Sequence, residues 1–523
     1  CIADGTRRRG CDHGGRQESA HGYAHIGVNM VSINTHNLAA LQAEVQRPSY
    51  DPDAVRVGIV HIGAGGFHRS HQAMYVDRLM NDGLALDWGI CGVGLMPADA
   101  RMRDVMAAQD CLYTLVLKGA GGARDARVIG SVREYMFAPD NPHAVIERMT
   151  DPAVRIVSMT VTEGGYNVSQ VTGLFDATAP DVLHDLAYPG APRTVFGLVI
   201  EALRRRRDRG IAPFTVMSCD NVQGNGDVAR GAFAAFARLR DAELGEWVEA
   251  SIAFPNSMVD RITPVTADED RDELRERFGV DDGWPVVAEP FVQWVLEDYF
   301  PTGRPPFELA GVQLVDDVVP YELMKLRLLN STHQGMCYFG YLMGYRYAHE
   351  AAADPLIADF LMGYMDLEAT PTLRALPGVD LALYKRTLIE RYRNPDVRDT
   401  LARLCADSSN RIPKWLVPVI REQLRRGGRI ASSAAIVASW ARYAEGVDEQ
   451  GMPIEVVDQH RDALMARART QAEHHAAFLE ERNLFGVLMN QPKFVRKYLR
   501  ALAALQRDGA AATLAMLNAE LPA

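Results

Sequence analysis

The sequence predicts an α/β fold in which a doubly wound parallel sheet is followed by a mainly α-helical part. From Val55 to about Gln313, short apolar runs rich in β-branched residues alternate with helical stretches. This alternation is typical of parallel strands joined by crossover helices. After Asp316 the apolar periodicity is helical throughout, and we predict no strand there.

Each predicted strand is a continuous apolar run, as expected for strands that are covered on both faces of a sheet. The four strands are predicted at residues 55–62, 88–95, 154–161 and 214–219. The predicted helices of the C-terminal part span residues 323–345, 355–365, 381–392, 397–404, 417–424, 432–444, 461–484 and 493–505. We therefore predict two domains, at residues 30–315 and 316–523.

Residues 1–29 differ in composition from the rest of the chain. They are rich in Gly, Arg and His and lack the apolar stretch of a secretory signal. We expect them to form a disordered extension, with Met30 as the natural start.

The composition excludes several classes of partner. The chain of 523 residues carries a net charge of −11, so no nucleic-acid partner is expected. The seven cysteines include no C-x-x-C pair, so neither a disulfide framework nor a zinc ribbon is predicted, and a reducing cytoplasm fits. No apolar run approaches the roughly 18 residues that a membrane span requires, so we expect no membrane partner.

A glycine-rich segment follows the first predicted strand and opens a helix. It consists of Ile62, Gly63, Ala64, Gly65, Gly66 and Phe67. Gly63 permits a tight turn, and Gly65 lets the backbone approach a pyrophosphate at the helix N-terminus. The sixth position of this Rossmann-type pattern holds His68 in place of Gly or Ala, so Gly66 is expected to supply the close approach. The alternative is a plain strand–helix turn that binds no dinucleotide.

The cofactor preference is predicted from the end of the second strand, where an acidic residue binds the ribose 2′-hydroxyl and repels a 2′-phosphate. Asp99 is the only carboxylate close after Leu95. No Lys or Arg stands before it, although Arg101 and Arg103 follow. We therefore predict NAD as the cofactor.

Residues 321–333 are predicted to form a helix that carries a lysine, an asparagine and a histidine. At about 100° per residue, Lys325, His333 and Asn330 lie at about 0°, 80° and 140°, on one side of this helix. Apolar neighbours can desolvate the lysine and lower its pKa toward that of a general base. The other two side chains can orient a hydroxyl or carbonyl. The alternative is an amphipathic helix whose Lys and His reach water.

An alcohol dehydrogenase needs a group that removes the hydroxyl proton as hydride leaves the carbon. The Cys and His spacings offer no zinc site. Tyr321-x-x-x-Lys325 matches the pair of short-chain dehydrogenases, but it opens the helical part instead of lying in the nucleotide domain. A lysine base is the third solution, with Asn330 and Asn221 as amide donors to the alkoxide. Asn221 lies at the C-terminal end of the strand predicted at 214–219, and its alternative is a turn or helix-cap role.

Several ordered segments carry a family resemblance. The most specific is Phe254-Pro255-Asn256-Ser257-Met258-Val259-Asp260-Arg261-Ile262-Thr263-Pro264, and further segments lie at 62–71, 162–166, 218–221, 289–294 and 325–333. Together they resemble the mannitol dehydrogenase family, the polyol-specific long-chain dehydrogenases. The resemblance extends from about Met30 to the C-terminus and is strongest between Arg56 and His333.

The resemblance implies roles for the residues around the reacting carbon. Lys325 would be the general acid/base. Asn221 and Asn330 would stabilise the oxyanion. His333 would bind and orient the reacting oxygen.

The resemblance also implies contacts with the rest of the substrate. Asp260 would contact substrate hydroxyls, and its alternative is a structural ion pair with Arg261. Arg403 would hold the distal polyol. Arg411 stands where the family usually has lysine, which keeps the charge but not the geometry and leaves the chain-length preference open. Glu163 is expected near the site, with a plain loop carboxylate as the alternative.

The activity that the resemblance implies is NAD-dependent, zinc-independent interconversion of D-mannitol and D-fructose at C2. The resemblance further implies a monomer. Three alternatives stay open. In the first, the substrate is D-arabinitol, D-sorbitol or a hexuronate such as fructuronate. In the second, the enzyme uses the tyrosine mechanism of short-chain dehydrogenases. In the third, the protein senses NADH without catalysis.

Overall fold

The computed structural model describes residues 30–168 and 173–522. The extension predicted at residues 1–29 lies outside them. The predicted fold class is confirmed, because a Rossmann-type domain with a parallel sheet precedes a mostly helical domain. The domain limits at 315 and 316 stay a prediction.

Fourteen strands occur in the described ranges, and all lie in the N-terminal domain. They are β1 Val31–Ser32, β2 Val45–Gln46, β3 Val57–Ile62, β4 Gly89–Gly94, β5 Tyr113–Lys118, β6 Arg124–Ile129, β7 Val132–Phe137, β8 Ile156–Met159, β9 Thr215–Ser218, β10 Ser257–Asp260, β11 Val280–Asp281, β12 Val286–Ala288, β13 Gln293–Glu297 and β14 Gln313–Val315.

The central sheet has five parallel strands in the order β7-β4-β3-β8-β9. The strands β3, β4, β8 and β9 are the four that the sequence predicts, and every residue in them is buried. One face packs against α4 Pro142–Thr150, α7 Val195–Asp208 and α8 Asn225–Arg240. The other face packs against α2 Gln72–Asn81 and α3 Ala100–Ala108. The sheet is therefore doubly wound, and its strands end at a common edge.

The remaining helices of the N-terminal domain are α1 Gly66–Ser70, α5 Thr162–Gly165, α6 Pro180–Ala187, α9 Ala242–Ser251 and α10 Asp268–Phe278. Three smaller sheets in the described ranges were not predicted. One has the strand order β12-β5-β6-β2, another has the order β10-β13-β14, and the third consists of β1 and β11. The three-stranded sheet carries Asp260 at the end of β10 and thus contributes to the site.

The C-terminal domain packs its helices around one apolar core. They are α11 Val319–Lys325, α12 Ser331–Leu342, α13 Ala348–Ala353, α14 Pro355–Tyr364, α15 Leu381–Tyr392, α16 Leu401–Cys405, α17 Ser408–Trp415, α18 Val417–Arg426, α19 Ala431–Tyr443, α20 Arg461–Thr470, α21 Arg482–Phe485 and α22 Pro492–Asn518. The helix α22 is broken at Gly509, whose φ is 83°. No helix in the described part of the chain has the length and apolarity needed to cross a bilayer.

Two predicted helices are interrupted. The helix predicted at 323–345 contains a π-helical segment, Leu326–Asn330, between α11 and α12. The helix predicted at 461–484 is divided into α20, a 3₁₀ turn at Ala477–Glu480 and α21. In both places the apolar periodicity continues through the interruption, so it does not reveal the change in backbone geometry.

Candidate active site

The amine of Lys325 lies at the boundary between the two domains. Pro320 at the start of α11 fixes the first turn, and Tyr321 and Met324 anchor this helix in the core. Lys325 ends α11 and is buried. Its Nζ donates to Asn221 Oδ1 and to the carbonyl oxygen of Val259, both at 2.6 Å. The alternative in which this lysine reaches water is therefore wrong.

Burial lowers the pKa of Lys325 below its ordinary value. The carboxylate of Asp260 acts in the opposite direction and raises it, while the charge of Arg391 lowers it. Glu322 is also buried one turn away, where its carboxylate accepts from the backbone N–H of Gly224 at 3.0 Å, and burial raises its pKa to about 7. Glu322 could not be singled out from the sequence, because a glutamate in a first helical turn is commonplace.

Asn330 and His333 follow the lysine through the π-helical segment. The wider turns of this segment change the angles predicted for a regular helix. Asn330 is buried, and its Oδ1 has no hydrogen-bond partner among the described residues. The ring of His333 is buried 4.7 Å from the ring of Tyr392, and burial lowers its pKa to about 3. The imidazole is therefore neutral at physiological pH.

Asn221 lies just past β9, at the carboxyl edge of the central sheet. The preceding residue, Asp220, fixes this turn by accepting from the N–H groups of Val161 and Thr162 at 3.1 and 2.8 Å. The helix that follows begins only at Asn225, with Gly224 as its N-cap, so Asn221 does not cap it. Its side chain bonds Lys325 instead.

The carboxylate of Asp260 forms a bidentate ion pair with Arg391 of α15, at 2.9 and 3.1 Å. Burial would raise the pKa of Asp260, but the charges of Arg391 and Lys325 lower it below its ordinary value. The alternative of an ion pair between Asp260 and Arg261 is therefore wrong. Asp260 pairs with Arg391, whereas Arg261 donates to the carbonyl oxygens of Glu289 and Ser70.

Arg391 also binds Glu289, at 2.7 and 2.9 Å, and its guanidinium lies 3.9 Å above the ring of Phe291. This buried arginine therefore joins two carboxylates of the N-terminal domain to a helix of the C-terminal domain. This arginine could not be predicted from the sequence, since its partners are 102 and 131 residues away. The only signal was the family segment at 289–294, which contains Glu289.

Arg403, Arg411 and Glu163 have more exposed or peripheral side chains. The guanidinium of Arg403 is 57% exposed and binds Asp399 through two 2.6 Å bonds. Arg411 donates to the carbonyl oxygen of Leu404 at 3.0 Å. Glu163 of α5 forms an ion pair with Lys414 of α17, which connects the two domains.

The glycine loop has the backbone geometry that a pyrophosphate needs. Gly63 has a φ of 88°, and a Cβ there would lie 2.2 Å from the carbonyl oxygen of Thr160, so only glycine fits. The hydroxyl of Thr160 donates to the carbonyl oxygen of Gly63 at 2.6 Å and holds the turn. Around Gly65 the space is open, because a Cβ would meet only the Gly63 carbonyl oxygen at 3.9 Å.

The close approach expected of Gly66 is absent. A Cβ at Gly66 would have ordinary contacts, 3.6 Å from Thr263 and 3.7 Å from Val286. His68, which replaces the Gly or Ala usual at the sixth position of the glycine pattern, is accommodated by stacking. Its ring lies on the ring of His61 in β3, with 3.4 Å between the ring centroids. Helix and strand thus pack through two imidazoles.

Ile62 and Ala64 are buried beside the loop, and the ring of Phe67 stacks on His71 at 5.0 Å. Asp99 accepts from the backbone N–H groups of Leu95 and Met96 at 2.9 and 2.8 Å through one oxygen, Oδ2. The carboxylate therefore holds the turn after β4, at the edge where a ribose would lie.

The chemistry of these residues fits a dinucleotide. The open backbone at Gly65 and the first N–H groups of α1 lie at the carboxyl end of β3. In the described ranges, no three His, Cys, Asp or Glu side chains come together as metal ligands. Zinc independence stays a prediction.

The fold and the site define the class as a Rossmann-type dehydrogenase with a lysine-centred site between its two domains. A family model described as the mannitol dehydrogenase Rossmann domain matches residues 57–309. The model of the mannitol dehydrogenase C-terminal domain matches residues 317–506. The chain belongs to the mannitol dehydrogenase family, as the sequence analysis predicted.

Curated relatives and solved structures agree with this assignment. The mannitol 2-dehydrogenase of Phaeosphaeria nodorum is 47% identical over 93% of this chain and 85% of its own length. That of Aspergillus fumigatus is 46% identical over 92% of this chain and 98% of its own. The ternary complex of Pseudomonas fluorescens mannitol 2-dehydrogenase with NAD and D-mannitol has 46% identity and a TM-score of 0.85, covering 94% of this chain and 100% of that one. A substrate-free D-sorbitol dehydrogenase has 39% identity and a TM-score of 0.86, covering 92% and 100%.

Proposed function

We propose that this enzyme oxidises D-mannitol to D-fructose at C2, and catalyses the reverse reduction, with NAD as cofactor. Relatives that are 46–47% identical carry the name mannitol 2-dehydrogenase, and one solved relative is in complex with NAD and D-mannitol. The observation that carries the proposal is the buried Lys325 amine, which is bonded to Asn221 between the two domains.

Lys325 is the general acid/base of the proposed reaction. A bound nicotinamide takes up the hydride in oxidation and supplies it in reduction. In oxidation, the neutral Nζ of Lys325 takes the proton of the C2 hydroxyl, and the C2–O bond becomes a carbonyl. In reduction, the ammonium form returns this proton to the oxygen. Because burial lowers the pKa of Lys325, the neutral amine is available at a lower pH than for an exposed lysine.

Asn221 and Asn330 stabilise the negative charge that develops on the C2 oxygen. The Oδ1 of Asn221 accepts from Lys325, which leaves its amide N–H groups to donate to the substrate. Asn330 donates to this oxygen through its amide N–H groups, and its buried Oδ1, which has no protein partner among the described residues, can accept from a neighbouring substrate hydroxyl. Neutral His333 orients the reacting oxygen by a hydrogen bond.

The rest of the polyol is held by Asp260, Arg403 and Arg411. Arg391 keeps Asp260 ionised and oriented, so its carboxylate can accept from substrate hydroxyls. Arg403 is held in one orientation by Asp399. A substrate carboxylate would compete with Asp399 for this guanidinium, and a neutral polyol would not.

The cofactor is held by the glycine loop and its neighbours. The proposed contacts are Ile62, Gly63, Ala64, Gly65, Gly66, Phe67, Asp99 and Glu163. NAD is preferred because the Asp99 carboxylate repels a 2′-phosphate. A cytoplasmic location and a monomeric state stay predictions.

Other activities remain as alternatives. D-Sorbitol as substrate is supported by the similarity to a D-sorbitol dehydrogenase. D-Arabinitol and fructuronate are the other alternative substrates within the same enzyme family. The tyrosine mechanism is less consistent with the geometry, because the Tyr321 hydroxyl accepts from Gln313 at 2.9 Å and faces the carbonyl oxygen of Pro377. A non-catalytic NADH sensor would leave the buried lysine without a use.

One set of assays distinguishes these alternatives. NAD reduction is followed with D-mannitol, D-sorbitol and D-arabinitol, because oxidation of D-mannitol and D-sorbitol at C2 gives the same ketose, D-fructose. NADH oxidation is followed with fructose and fructuronate. We expect D-mannitol to have the highest kcat/KM among the polyols, fructose to be preferred to fructuronate, and NADPH to be a poorer reductant. Higher kcat/KM with another polyol or with fructuronate would replace the substrate proposal, and no turnover with any of them would favour the sensor. If the wild-type enzyme is active and Tyr321→Phe is inactive, the tyrosine mechanism would be favoured.

The lysine mechanism has its own test. Lys325→Ala should reduce turnover by at least about 10³-fold, because it removes the amine that takes the proton in the proposed reaction. NADH should bind with unchanged affinity in a fluorescence titration, and an added primary amine should restore part of the rate. Unchanged turnover would remove the mechanism, whereas loss of NADH binding would indicate a folding defect.

A further inference from the structure

A pocket of about 520 Å³ lies outside the candidate active site, against α2. Its walls come from α2, from β2 and β6 of the four-stranded sheet, and from the turn at Leu309 and Ala310. Three arginines from three elements line it, namely Arg47, Arg78 and Arg127. Nothing in the proposed reaction uses these residues.

The arginines lack the close carboxylate partners that arginines in this protein usually have. Arg78 has no hydrogen bond or ion pair to any described residue, and its guanidinium only lies 5.8 Å from the ring of Tyr75. Arg127 forms only a long ion pair, at 3.9 Å, with Asp125. Its Nη2 donates to the Gln46 side-chain oxygen, and its Nε is buried without a hydrogen-bond partner in the described part of the chain. Arg47 donates to the carbonyl oxygen of Leu38 at 2.8 Å.

The positive charges repel one another. Burial and the charge of Arg127 lower the pKa of Arg78. Arg261 lies behind them in the protein, where burial and the charge of Arg78 lower its pKa to about 10. Clustered guanidinium groups that are partly desolvated are stable together when an anion lies between them.

In the described part of the chain, the two aspartates that line the pocket, Asp77 and Asp82, form no ion pair with these arginines, although the charge of Arg127 acts on Asp77. Asp77 is buried and accepts from the Tyr50 hydroxyl at 2.6 Å, from the N–H of Gly130 at 2.9 Å and from the Asn81 amide at 2.9 Å. Its oxygens are thus committed to groups around it. Asp82 is exposed at the rim.

We propose that this pocket binds a phosphate group, either as inorganic phosphate or as the phosphate of a sugar monophosphate. Guanidinium forks bind phosphate through paired N–H···O bonds, and a dianion can contact more than one fork at once. The pocket is larger than one phosphate, so it leaves room for a sugar beside the turn at Leu309 and Ala310.

The test measures binding of inorganic phosphate and of a hexose 6-phosphate by isothermal titration calorimetry. The full chain is used with excess NADH, so that phosphate cannot bind to the glycine loop, and ionic strength is held constant because screening weakens such contacts. We expect a Kd of about 1 mM or lower for at least one ligand. Arg78→Gln and Arg127→Gln should each weaken it at least about tenfold.

Matched variants localise the site. Arg425→Gln removes an exposed arginine of α18 and should leave the affinity unchanged, and Asp82→Asn should tighten binding by about two- to threefold because it removes a repelling charge. Tighter binding of the hexose phosphate would identify a sugar phosphate as the occupant, and equal binding would identify the free anion.

Absence of binding by both ligands up to about 10 mM would overturn the proposal, as would equal affinity of wild-type protein and the Arg78→Gln, Arg127→Gln double variant. If Arg78→Gln does not fold, Arg78→Lys keeps the charge but loses the fork. Weaker binding by that variant supports the proposal, and unchanged binding contradicts it.

Discussion

The proton affinity of Lys325 is set by three neighbours with opposing charges. Burial lowers its pKa, the carboxylates of Asp260 and Glu322 raise it, and the guanidinium of Arg391 lowers it. A general base needs the neutral form, so the rate of polyol oxidation should rise with pH through the pKa of Lys325. The position of this rise reports the balance of the neighbouring charges.

Asp260→Asn should move this rise to lower pH. Removal of the carboxylate takes away a charge that raises the pKa of Lys325, and we expect a displacement of about one pH unit. The measurement is kcat for D-mannitol oxidation as a function of pH. Asp462→Asn, at an exposed site on α20, is the matched control and should leave the profile in place. A profile that stays fixed in Asp260→Asn, or moves to higher pH, would contradict the assignment of Lys325 as base.

The sequence predicted the residues of the site that lie in compact motifs. Lys325, Asn330 and His333 share one short segment, and its apolar residues indicate burial. Arg391 could not be predicted, because α15 looks like an ordinary amphipathic helix and burial of its arginine depends on two distant carboxylates. Asp99 was predicted from its position, but its role in holding the turn after β4 depends on backbone geometry.

At the scale of elements, the π-helical segment determines how Lys325 and Asn330 face each other. Its wide turns shift backbone carbonyls away from their usual donors. The Ser331 hydroxyl donates to the carbonyl oxygen of Leu326 at 3.1 Å, and the Thr332 hydroxyl donates to those of Leu328 and Leu329 at 2.5 and 2.9 Å. These side-chain hydrogen bonds stabilise the π-helical backbone, whereas a regular α-helix would not need them.

Thr332→Val tests this element. The change keeps the shape but removes a buried hydroxyl that is bonded to the carbonyl oxygens of Leu328 and Leu329 and to the Tyr392 hydroxyl. We therefore expect a loss of about 1–3 kcal/mol in the free energy of unfolding. A displaced Asn330 should also lower kcat on the order of 10- to 100-fold. Urea denaturation and steady-state kinetics measure the two effects. Ser439→Ala removes a similar hydroxyl from α19, which is a regular helix, and should cost less than about 1 kcal/mol with kcat unchanged.

Buried neutral histidines lie around the glycine loop, with His61 in β3 and His71 between α1 and α2. Burial lowers the pKa of His61 and of His71 to about 3. An unfolded chain binds these protons near pH 6.5 whereas the folded chain does not, so stability is present above pH 6.5 and is lost as pH falls from 6.5 toward 3. Between pH 7 and pH 5, each histidine should reduce the free energy of unfolding by about 2 kcal/mol.

This pH dependence is measured by urea denaturation at pH 7 and pH 5. His71→Gln should show a smaller difference between the two pH values than wild-type protein, because glutamine does not titrate. His460→Gln, at an exposed position, should behave like wild-type protein. An unchanged difference in His71→Gln would show that this ring is protonated in the folded state.

The sequence predicted elements best where burial is continuous. The strands β3, β4, β8 and β9 are covered on both faces, so their apolar runs identify them. The strand β6 has the sequence Arg-Asp-Ala-Arg-Val-Ile, and β2 and β12 are two and three residues long. Such strands are defined by their pairing with distant partners, which local periodicity does not report.

At the scale of the whole molecule, the two domains are joined by polar contacts around the site. Arg391 binds Asp260 and Glu289, Asn394 donates to the carbonyl oxygen of Lys118 at 2.8 Å, and Arg124 binds Asp396 at 2.8 Å. Because Arg391 is buried with both of its carboxylates, these charges are weakly screened. The relative position of the domains therefore bears directly on the position of the Asp260 carboxylate, the proposed contact to substrate hydroxyls.

Arg391→Gln should affect both stability and substrate binding. It leaves two buried carboxylates without their cation, so we expect a loss of about 3–5 kcal/mol in the free energy of unfolding. KM for D-mannitol should rise because Asp260 is no longer held, while the affinity for NADH should stay the same. Denaturation, kinetics and a fluorescence titration measure these effects.

Two variants accompany this experiment. Arg391→Lys keeps the positive charge but cannot form the paired guanidinium hydrogen bonds. It should therefore recover part of the lost stability, while its KM for D-mannitol should stay close to that of Arg391→Gln. Arg425→Gln, whose side chain is 70% exposed, should change neither quantity. A normal KM in Arg391→Gln would mean that Asp260 is held without its arginine.

The arginine that bridges the domains limits how related genes can exchange their halves. A recombinant that joins one enzyme's first half to another's second half would inherit Asp260 and Glu289 from one parent and their cation from the other. Such hybrid proteins would stay functional only when both parent enzymes keep the arginine and its two carboxylates. Sequence divergence of one domain at these positions therefore constrains divergence of the other domain.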